Sequence, residues 1–243
     1  MGAILELLAS TRPALGAAEV ARTIGISRTS AHGLLMSMAE IGILRIESRG
    51  RFGIGRRLAE LNATLMSSSE IRLAAFTVLS ALADQTEESV ILVVPDGPGT
   101  VLCIDRIIGS APVYTDMPPV GWSLDSSRSA VGKVISAHRG NYGASAIGSS
   151  PTGVLASSVS PTLDQEFARI RARGFAIDMG EFLPNVCCVA GAVKDCRGRA
   201  LAALGVGVPA YRFERSASML TQSVIAACER VAGRMRAGVS GPR

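Results

Sequence analysis

Two helix-forming segments joined by a single glycine constrain the fold of this chain more than any other feature. Residues 17–24 place three apolar side chains on one helical face, namely Val20, Ala21 and Ile24. Gly25 follows directly, and a glycine here takes the left-handed conformation that ends a helix and redirects the chain. Ser27 then occupies the N-cap position of another helix, which the pattern predicts over Arg28 to Glu40.

This next helix combines an apolar stripe with an unusual polar side. The stripe predicted to be buried consists of Ala31, Leu34, Leu35, Met38 and Ile41. An ordinary surface helix favours long polar residues of high helix propensity, such as glutamate, lysine and glutamine. The polar positions here are instead Arg28, Thr29, Ser30, His32 and Gly33. Because short hydroxyls bind phosphates closely and arginine or histidine reaches base edges, we interpret the helix as DNA-reading, with a merely solvated face as the alternative.

A basic hairpin is predicted after this helix. Two β-prone runs, Ile43–Ile46 and Phe52–Ile54, flank a turn at residues 48–51. A first short helix over Ile4–Leu8 ends at the helix-breaking run Arg12–Gly16. Helix, helix, glycine turn, helix and hairpin form a winged helix-turn-helix, whose third helix enters the major groove. Residues 1–67 contain eight arginines and five glutamates, and this positive excess indicates a partner rich in phosphate.

The rest of the chain predicts a second domain of the α+β class. Helices are predicted over residues 56–67, 71–84, 129–138, 163–173 and 214–235, with a Gly/Ser-rich loop before Ser160. Strands are predicted over residues 89–94, 101–108, 111–115, 186–193 and 200–208. We therefore expect a winged helix in residues 1–57, a linker helix in 58–69, and a sensor-like domain in 70–243 with a mostly antiparallel sheet flanked by helices.

Several function classes are disfavoured by composition and motifs. No long apolar run or leader pattern is present, so we expect neither membrane spanning nor secretion, and a cytoplasmic location. Five irregularly spaced cysteines without a CxxC pair indicate reduced thiols. Gly132–Lys133 lacks the flanking glycine and hydroxyl residue of a phosphate loop, and a metal site at Cys187, Cys188 and Cys196 lacks a nearby histidine. We expect no cofactor, no metal and no catalytic residue.

These segments together resemble the IclR family of bacterial transcriptional regulators over nearly the whole chain. The stretch GISRTSAHGLL at residues 25–35 resembles that family's recognition-helix segment. Further matches are Phe52–Gly55 at the wing exit, Ser129–Lys133 in a small-residue helix, Arg173–Asp178 with Glu181, and Val186–Pro209 in the final strand pair. Gly33 stands where the family usually has arginine, and Gly205 and Gly207 where it often has serine. The resemblance implies a GAF-like fold for the C-terminal domain.

The resemblance implies a DNA-binding transcriptional regulator whose affinity for an operator is modulated by a small organic acid or aromatic metabolite. We assign phosphate contacts to Arg22, Ser27, Arg28, Arg49 and Arg51, and base contacts to Thr29, Ser30 and His32. By resemblance, the effector site contains Ala130, Val131, Asp178, Val186, Cys188 and Gly207. Helix-turn-helix proteins read paired half-sites as symmetric assemblies, and the family implies dimers that pair into tetramers.

Alternatives remain open for the C-terminal domain. It could serve oligomerisation alone, or it could be a small-molecule enzyme, although no nucleophile–base pair is apparent. Adjacent residues of a strand point to opposite faces, so either Cys187 or Cys188 faces the concave side of the sheet, and both could simply be small core residues.

Overall fold

The computed structural model describes residues 2–10, 14–139 and 161–239. It divides into two compact units, Met1–Ser69 and Glu70–Arg243. The Gly/Ser-rich loop predicted before Ser160 and the residues Arg12–Pro13 of the predicted breaker run lie outside the described residues.

The first unit is a small three-stranded sheet with helices. Its elements are α1 (Gly2–Ser10), β1 (Ala14–Gly16), α2 (Ala17–Ile24), α3 (Arg28–Glu40), β2 (Leu44–Ile46), β3 (Arg51–Ile54) and α4 (Arg56–Ser68). The predictions of α2, α3 and the hairpin are confirmed. Strand β1 was not predicted, because three residues carry no periodic signal and become a strand only by pairing with β3, with Ala14 opposite Gly53. The strand order is β1-β3-β2, antiparallel throughout.

The core of this unit contains only part of the predicted α3 stripe. Ala31, Leu35 and Met38 are buried. They pack with residues of α1, β1, α2, β2 and β3, such as Val20 and Phe52. Leu34 is 38% exposed and Ile41 is 56% exposed, so the prediction that both are buried is wrong. The buried positions follow an i, i+4, i+7 spacing, which leaves Leu34 at the edge of the buried stripe, while Ile41 is the C-cap.

The second unit is a six-stranded antiparallel sheet between helices. Its elements are α5 (Glu70–Thr86), β4 (Ser89–Pro95), β5 (Thr100–Ile107), β6 (Ser123–Asp125), α6 (Ala130–Arg139), α7 (Pro161–Arg173), β7 (Phe175–Met179), β8 (Val186–Lys194), β9 (Ala200–Pro209) and α8 (Ala210–Val239). The strand order is β6-β5-β4-β9-β8-β7. The predicted α+β class, with a winged helix-turn-helix followed by a helix-flanked antiparallel sheet, is confirmed.

One predicted strand of this unit is wrong and two strands were missed. Residues 111–115 form no strand, and Pro112 disfavours one because it has no N–H to donate to a ladder. The Val113 carbonyl accepts a hydrogen bond from the Arg212 guanidinium instead. The missed strands are the two edges of the sheet, β6 and β7, and each has a single neighbouring strand. Edge strands depend on a distant partner, so their short sequences gave no independent signal.

Alternation along the strands separates two apolar layers. Leu204, Val206 and Val208 of β9 pack with α5 and α8. The alternate residues of the neighbouring strands, with Ala203 of β9, pack with α6 and α7. Cys187 belongs to the first layer and Cys188 to the second, so Cys188 is the cysteine that faces α6.

Candidate nucleic-acid interface and ligand site

The turn between α2 and α3 has the geometry that its sequence predicts. Gly25 adopts a φ of 75°, and its N–H donates to the Ala21 carbonyl at 3.0 Å. The Ser27 hydroxyl then accepts the backbone N–H of Ser30 at 3.0 Å and caps α3. The Oγ atoms of Ser27 and Ser30 also lie 2.8 Å apart. These local bonds fix the angle at which α3 leaves the turn.

The polar residues at the start of α3 are all exposed. This holds for Ser27, Arg28, Thr29, Ser30 and His32, and also for Arg22 at the end of α2. The first turn of α3 contains no acidic residue. Its free backbone N–H groups carry the partial positive charge of a helix start, which attracts a phosphate. Within the described residues, Arg22 and Arg28 form no ion pair with a carboxylate, so both are available to an external anion.

The two wing arginines differ in their surroundings. Arg49 is exposed at the tip, in the left-handed region with a φ of 60°, and it forms no ion pair within the described part of the chain. Arg51 is half-buried, donates to the Ala14 carbonyl, and lies 3.4 Å from a Glu19 carboxylate oxygen. Arg51 therefore ties β3 to β1 and α2, whereas Arg49 projects from the wing.

His32 joins the recognition helix to the wing. Its ring meets the buried ring of Phe52 edge-on, with centroids 6.2 Å apart and planes at 89°. This contact orients the imidazole while leaving His32 exposed. No spacing along the chain predicts this contact, because the two residues are on separate elements.

In the second unit, most of the residues assigned to the effector site line the layer between the sheet and α6. Ala130 and Val131, in the first turn of α6, are buried there with Cys188 of β8. Gly207 is paired with Cys188 in the sheet register, and Val186 lies two residues earlier on β8. An alanine Cβ at nearby Gly205 would overlap Val131 Cγ1 at 2.7 Å and crowd Cys188 Sγ at 3.2 Å. Five of the six assigned residues thus lie close to one stretch of the β8–β9 ladder.

Asp178, the sixth assigned residue, caps the loop between β7 and β8. Its Oδ1 accepts the N–H of Glu181 at 2.6 Å and that of Phe182 at 3.4 Å. Burial raises the pKa of the Asp178 carboxyl, while these two donors act in the opposite direction. The carboxylate is therefore held against a structural loop beside Cys188, its partner in the β7–β8 register.

Three groups hold Glu181 in this loop. Besides the Asp178 contact, the Arg128 guanidinium donates to the Glu181 carbonyl at 2.6 and 3.1 Å, and Lys133 Nζ lies 2.6 Å from Glu181 Oε2. Lys133 also lies 3.1 Å from Glu166 on α7. Arg128 and Lys133, both next to the assigned α6 residues, thus serve to fix the loop.

Met117 was missed as a residue of this site. It is 4% exposed, in the irregular segment between β5 and β6, and it packs against Gly207 and within the α6-facing layer. A lone methionine in a segment without periodicity carries no functional signal. The one indirect indication was Gly207 itself, since a strand residue without a side chain leaves backbone that another residue must cover.

The cysteines of this site are suited to packing. Burial raises the pKa of Cys188 far above that of a free thiol, and it raises the pKa of Cys187 as well. Both thiols are therefore protonated at neutral pH and are poor nucleophiles or metal ligands. Among the described residues, no group of three histidine, cysteine or acidic side chains is arranged to hold a metal ion.

Family models match both units. The model of the IclR helix-turn-helix domain covers residues 2–47, and that of the bacterial transcriptional regulator IclR C-terminal domain covers residues 63–233. The chain belongs to the IclR family. It is a DNA-binding transcriptional regulator, and residues 2–47 of the first unit are its helix-turn-helix part.

Two curated relatives of this IclR-family chain are regulators that match it over more than three quarters of their own length. The glycerol operon regulatory protein of Streptomyces griseus is 28% identical over 229 residues, which cover 92% of this chain and 89% of the relative. The transcriptional repressor IclR of Escherichia coli (strain K12) is 23% identical and covers 86% and 78% respectively.

A solved IclR homologue of similar fold comes from Microbacterium hydrocarbonoxydans and is complexed with 4-hydroxybenzoate. It is 20% identical, with a TM-score of 0.78 over 94% of each chain. The Thermotoga maritima IclR structure gives a TM-score of 0.74 at 21% identity, over 96% of this chain and 95% of that one. These likenesses establish the fold of the IclR-family chain. None of its helices in the described ranges combines the length and apolarity that a membrane crossing needs.

Proposed function

We propose that this IclR-family protein is a repressor that binds a specific operator through α3 and the wing, and that an organic acid bound in its C-terminal domain alters that binding. The observation that carries the DNA contact is the exposed set at the start of α3, where Arg28 and two hydroxyl residues surround free backbone donors without an acidic neighbour. Such a surface suits phosphate and base edges better than bulk water.

We assign phosphate anchoring to Arg22, Ser27, Arg28 and Arg49, and base contacts to Thr29, Ser30 and His32. Arg51 stays in the proposed interface, although its bonds to Ala14 and Glu19 favour supporting the wing over reaching phosphate. Residues 1–57 form the proposed DNA-binding domain, 58–69 the linker helix, and 70–243 the effector-binding and oligomerisation domain.

The DNA assignment is tested by fluorescence anisotropy with DNA flanking the coding region. The variant Arg28→Ala/Thr29→Ala/Ser30→Ala should lose at least tenfold in affinity, and removing one phosphate contact should flatten the salt dependence by about one unit of log–log slope. Arg215→Ala removes an exposed arginine from α8 and serves as the matched control. Operator affinity unchanged in a folded triple variant would contradict the assignment.

We infer that the protein works as a dimer or a dimer of dimers. One recognition helix contacts few base pairs, so operator selection requires two half-sites read by a symmetric assembly. Light scattering of the protein alone and with a two-half-site duplex measures this directly. A 1:1 complex of one chain with the duplex at full affinity would contradict it. A regulator of this kind acts in the cytoplasm, where operator DNA is accessible.

For the effector, the supporting observation is the cluster of Ala130, Val131, Cys188 and Gly207 between α6 and the sheet. The N-terminal amides of α6 suit a carboxylate, since a helix start favours anions. Thermal-shift measurements with pyruvate, benzoate and 4-hydroxybenzoate test this, followed by operator release. Stabilisation without turnover supports an effector site. No response to any acid would favour a purely oligomerising domain, and product formation would favour an enzyme.

A further inference from the structure

The floor of the proposed effector site is a strip of bare backbone on β9. Gly205 and Gly207 both face α6, and the space above each is filled by a side chain from elsewhere. Above Gly207 stands Met117: an alanine Cβ there would overlap Met117 Sδ and lie 3.0 Å from Cε and 3.3 Å from Cγ. The end of the Met117 side chain therefore occupies the space that the side chain of any larger residue at position 207 would fill.

The remaining walls of this strip are apolar. Above Gly205 lie Val131 Cγ1, Cys188 Sγ and Ile91 Cγ1. An alanine Cβ at Gly205 would lie 2.7, 3.2 and 3.4 Å from these atoms respectively. No hydroxyl extends from β9 at either glycine. A ligand body resting on this strip meets thioether, thiol and methyl groups, which favour an apolar ring over a small hydrated oxoacid.

Hydrogen bonds hold the backbone around Met117, whereas its side chain makes only apolar contacts within the described residues. The Arg106 guanidinium donates to the Met117 carbonyl and lies 3.0 Å from Asp116. The next carbonyl, of Pro118, lies 3.5 Å from Cys103 Sγ. The side chain itself is unbranched, with three rotatable bonds and no polar anchor, so it can change rotamer while the backbone stays in place.

We propose that Met117 determines the specificity of the effector site: its thioether occupies the space above Gly207, and an acid with an aromatic or similarly apolar body binds by displacing it. The acid's ring then replaces the thioether against Gly207, and its carboxylate meets the first turn of α6. Because displacing a buried thioether requires comparable apolar contact in return, short oxoacids bind less well than ring-bearing acids. The inference rests on the proposed effector function of this domain.

The inference is tested with the full-length protein by calorimetric titration of pyruvate, benzoate and 2-naphthoate. We expect wild type to prefer benzoate over pyruvate by at least tenfold. Met117→Ala should bind 2-naphthoate at least tenfold more tightly than wild type, with pyruvate affinity changed less than threefold. Met117→Leu keeps most of the side-chain volume and should leave the order of affinities unchanged, which makes it the matched control.

A second measurement follows the thioether itself. In protein labelled with ¹³C at the methionine methyl groups, the signal assigned through Met117→Leu should shift on addition of benzoate, and the signals of methionines outside this layer should not. One result would overturn the inference while the effector function stands. In that result benzoate binds wild type without shifting the Met117 signal, and Met117→Ala binds pyruvate, benzoate and 2-naphthoate with the same affinities as wild type. If no acid binds wild type or Met117→Ala, both are overturned.

Discussion

Lys133 Nζ lies 2.6 Å from Glu181 Oε2 and 3.1 Å from Glu166 Oε1, although the lysine side chain is only 2% exposed. This ion triad joins α6, α7 and the β7–β8 loop. The lysine is the buried member, because both carboxylates retain contact with solvent. Its desolvation is offset only while the two glutamates remain, so the triad holds together three elements around the proposed effector site.

Removing the two glutamates of the triad should lower the free energy of unfolding more than removing the lysine does. Glu166→Gln/Glu181→Gln leaves a buried ammonium without compensation and should cost about 3–5 kcal/mol of unfolding free energy. Lys133→Met leaves carboxylates that water can reach and should cost less than about 2 kcal/mol. Urea unfolding followed by far-UV circular dichroism compares the two variants. Equal losses would show that desolvation of Lys133 is not the controlling cost.

Gly25 and Gly33 should respond in opposite directions to alanine. An added Cβ meets nothing within 4 Å at either position, but Gly25 has a φ of 75° whereas Gly33 lies inside α3. Gly33→Ala should stabilise the helix by about 1 kcal/mol, and Gly25→Ala should destabilise the turn by about 1–2 kcal/mol. Hydrogen exchange of peptides covering residues 25–40 reports both effects. Protection changing in the same direction for both variants would contradict this account.

The hydroxyl cap of α3 should contribute measurably to its stability. Ser27→Ala removes the acceptor for the Ser30 N–H and should cost about 1 kcal/mol. Ser37→Ala, on an exposed position inside the same helix, is the control and should cost nothing. Hydrogen exchange in the first turn of α3 separates the two. Equal protection in both variants would mean that the cap is dispensable.

Asp178 should make the protein less stable as pH rises. Burial raises its folded-state pKa above the unfolded value, so the folded state holds this proton more tightly. Its contribution to the free energy of unfolding therefore falls as pH increases from about 4 through the raised pKa. Asp178→Asn keeps an oxygen acceptor for the Glu181 N–H and removes this titration. The stability of Asp178→Asn relative to wild type should increase from pH 4 to pH 7.

Urea unfolding at several pH values checks this, with Asp84→Asn on the exposed surface of α5 as the matched loss of one carboxylate. If Asp178→Asn loses stability relative to wild type as pH rises, the ionised carboxylate must be the favoured folded form, and the assignment of its environment is reversed.

Two helices of the first unit were predictable from sequence to the residue, whereas the predicted ends of α1, α6 and α8 differ from the observed ones by one to four residues. Helices α2 and α3 begin and end where the apolar spacing, Gly25 and Ser27 indicate, because helix and cap bonds join residues at most a few positions apart. The periodic strands of the second unit were found in the same way. Gly33, Gly205 and Gly207 could also be marked as departures from the family pattern.

Contacts between distant segments were not predictable. Arg51 was assigned to phosphate, and only the pairing of β3 with β1 showed that Ala14 and Glu19 engage it. Strands β6 and β7 required the sheet to exist before they could be recognised. Met117 belongs to no periodic segment, and its place above Gly207 depends on how the segment between β5 and β6 returns to β9.

The sequence by itself determined the helix-turn-helix, the two-domain order and the regulator family, because those depend on period, caps and short motifs. Only the tertiary structure decided which polar groups are already engaged, and which bare backbone is covered by a side chain from another element. Lys133 and Glu181 are 48 positions apart, and no spacing along the chain encodes their ion pair. Burial and charge pairing are properties of packed elements, so they become defined only when the chain has folded.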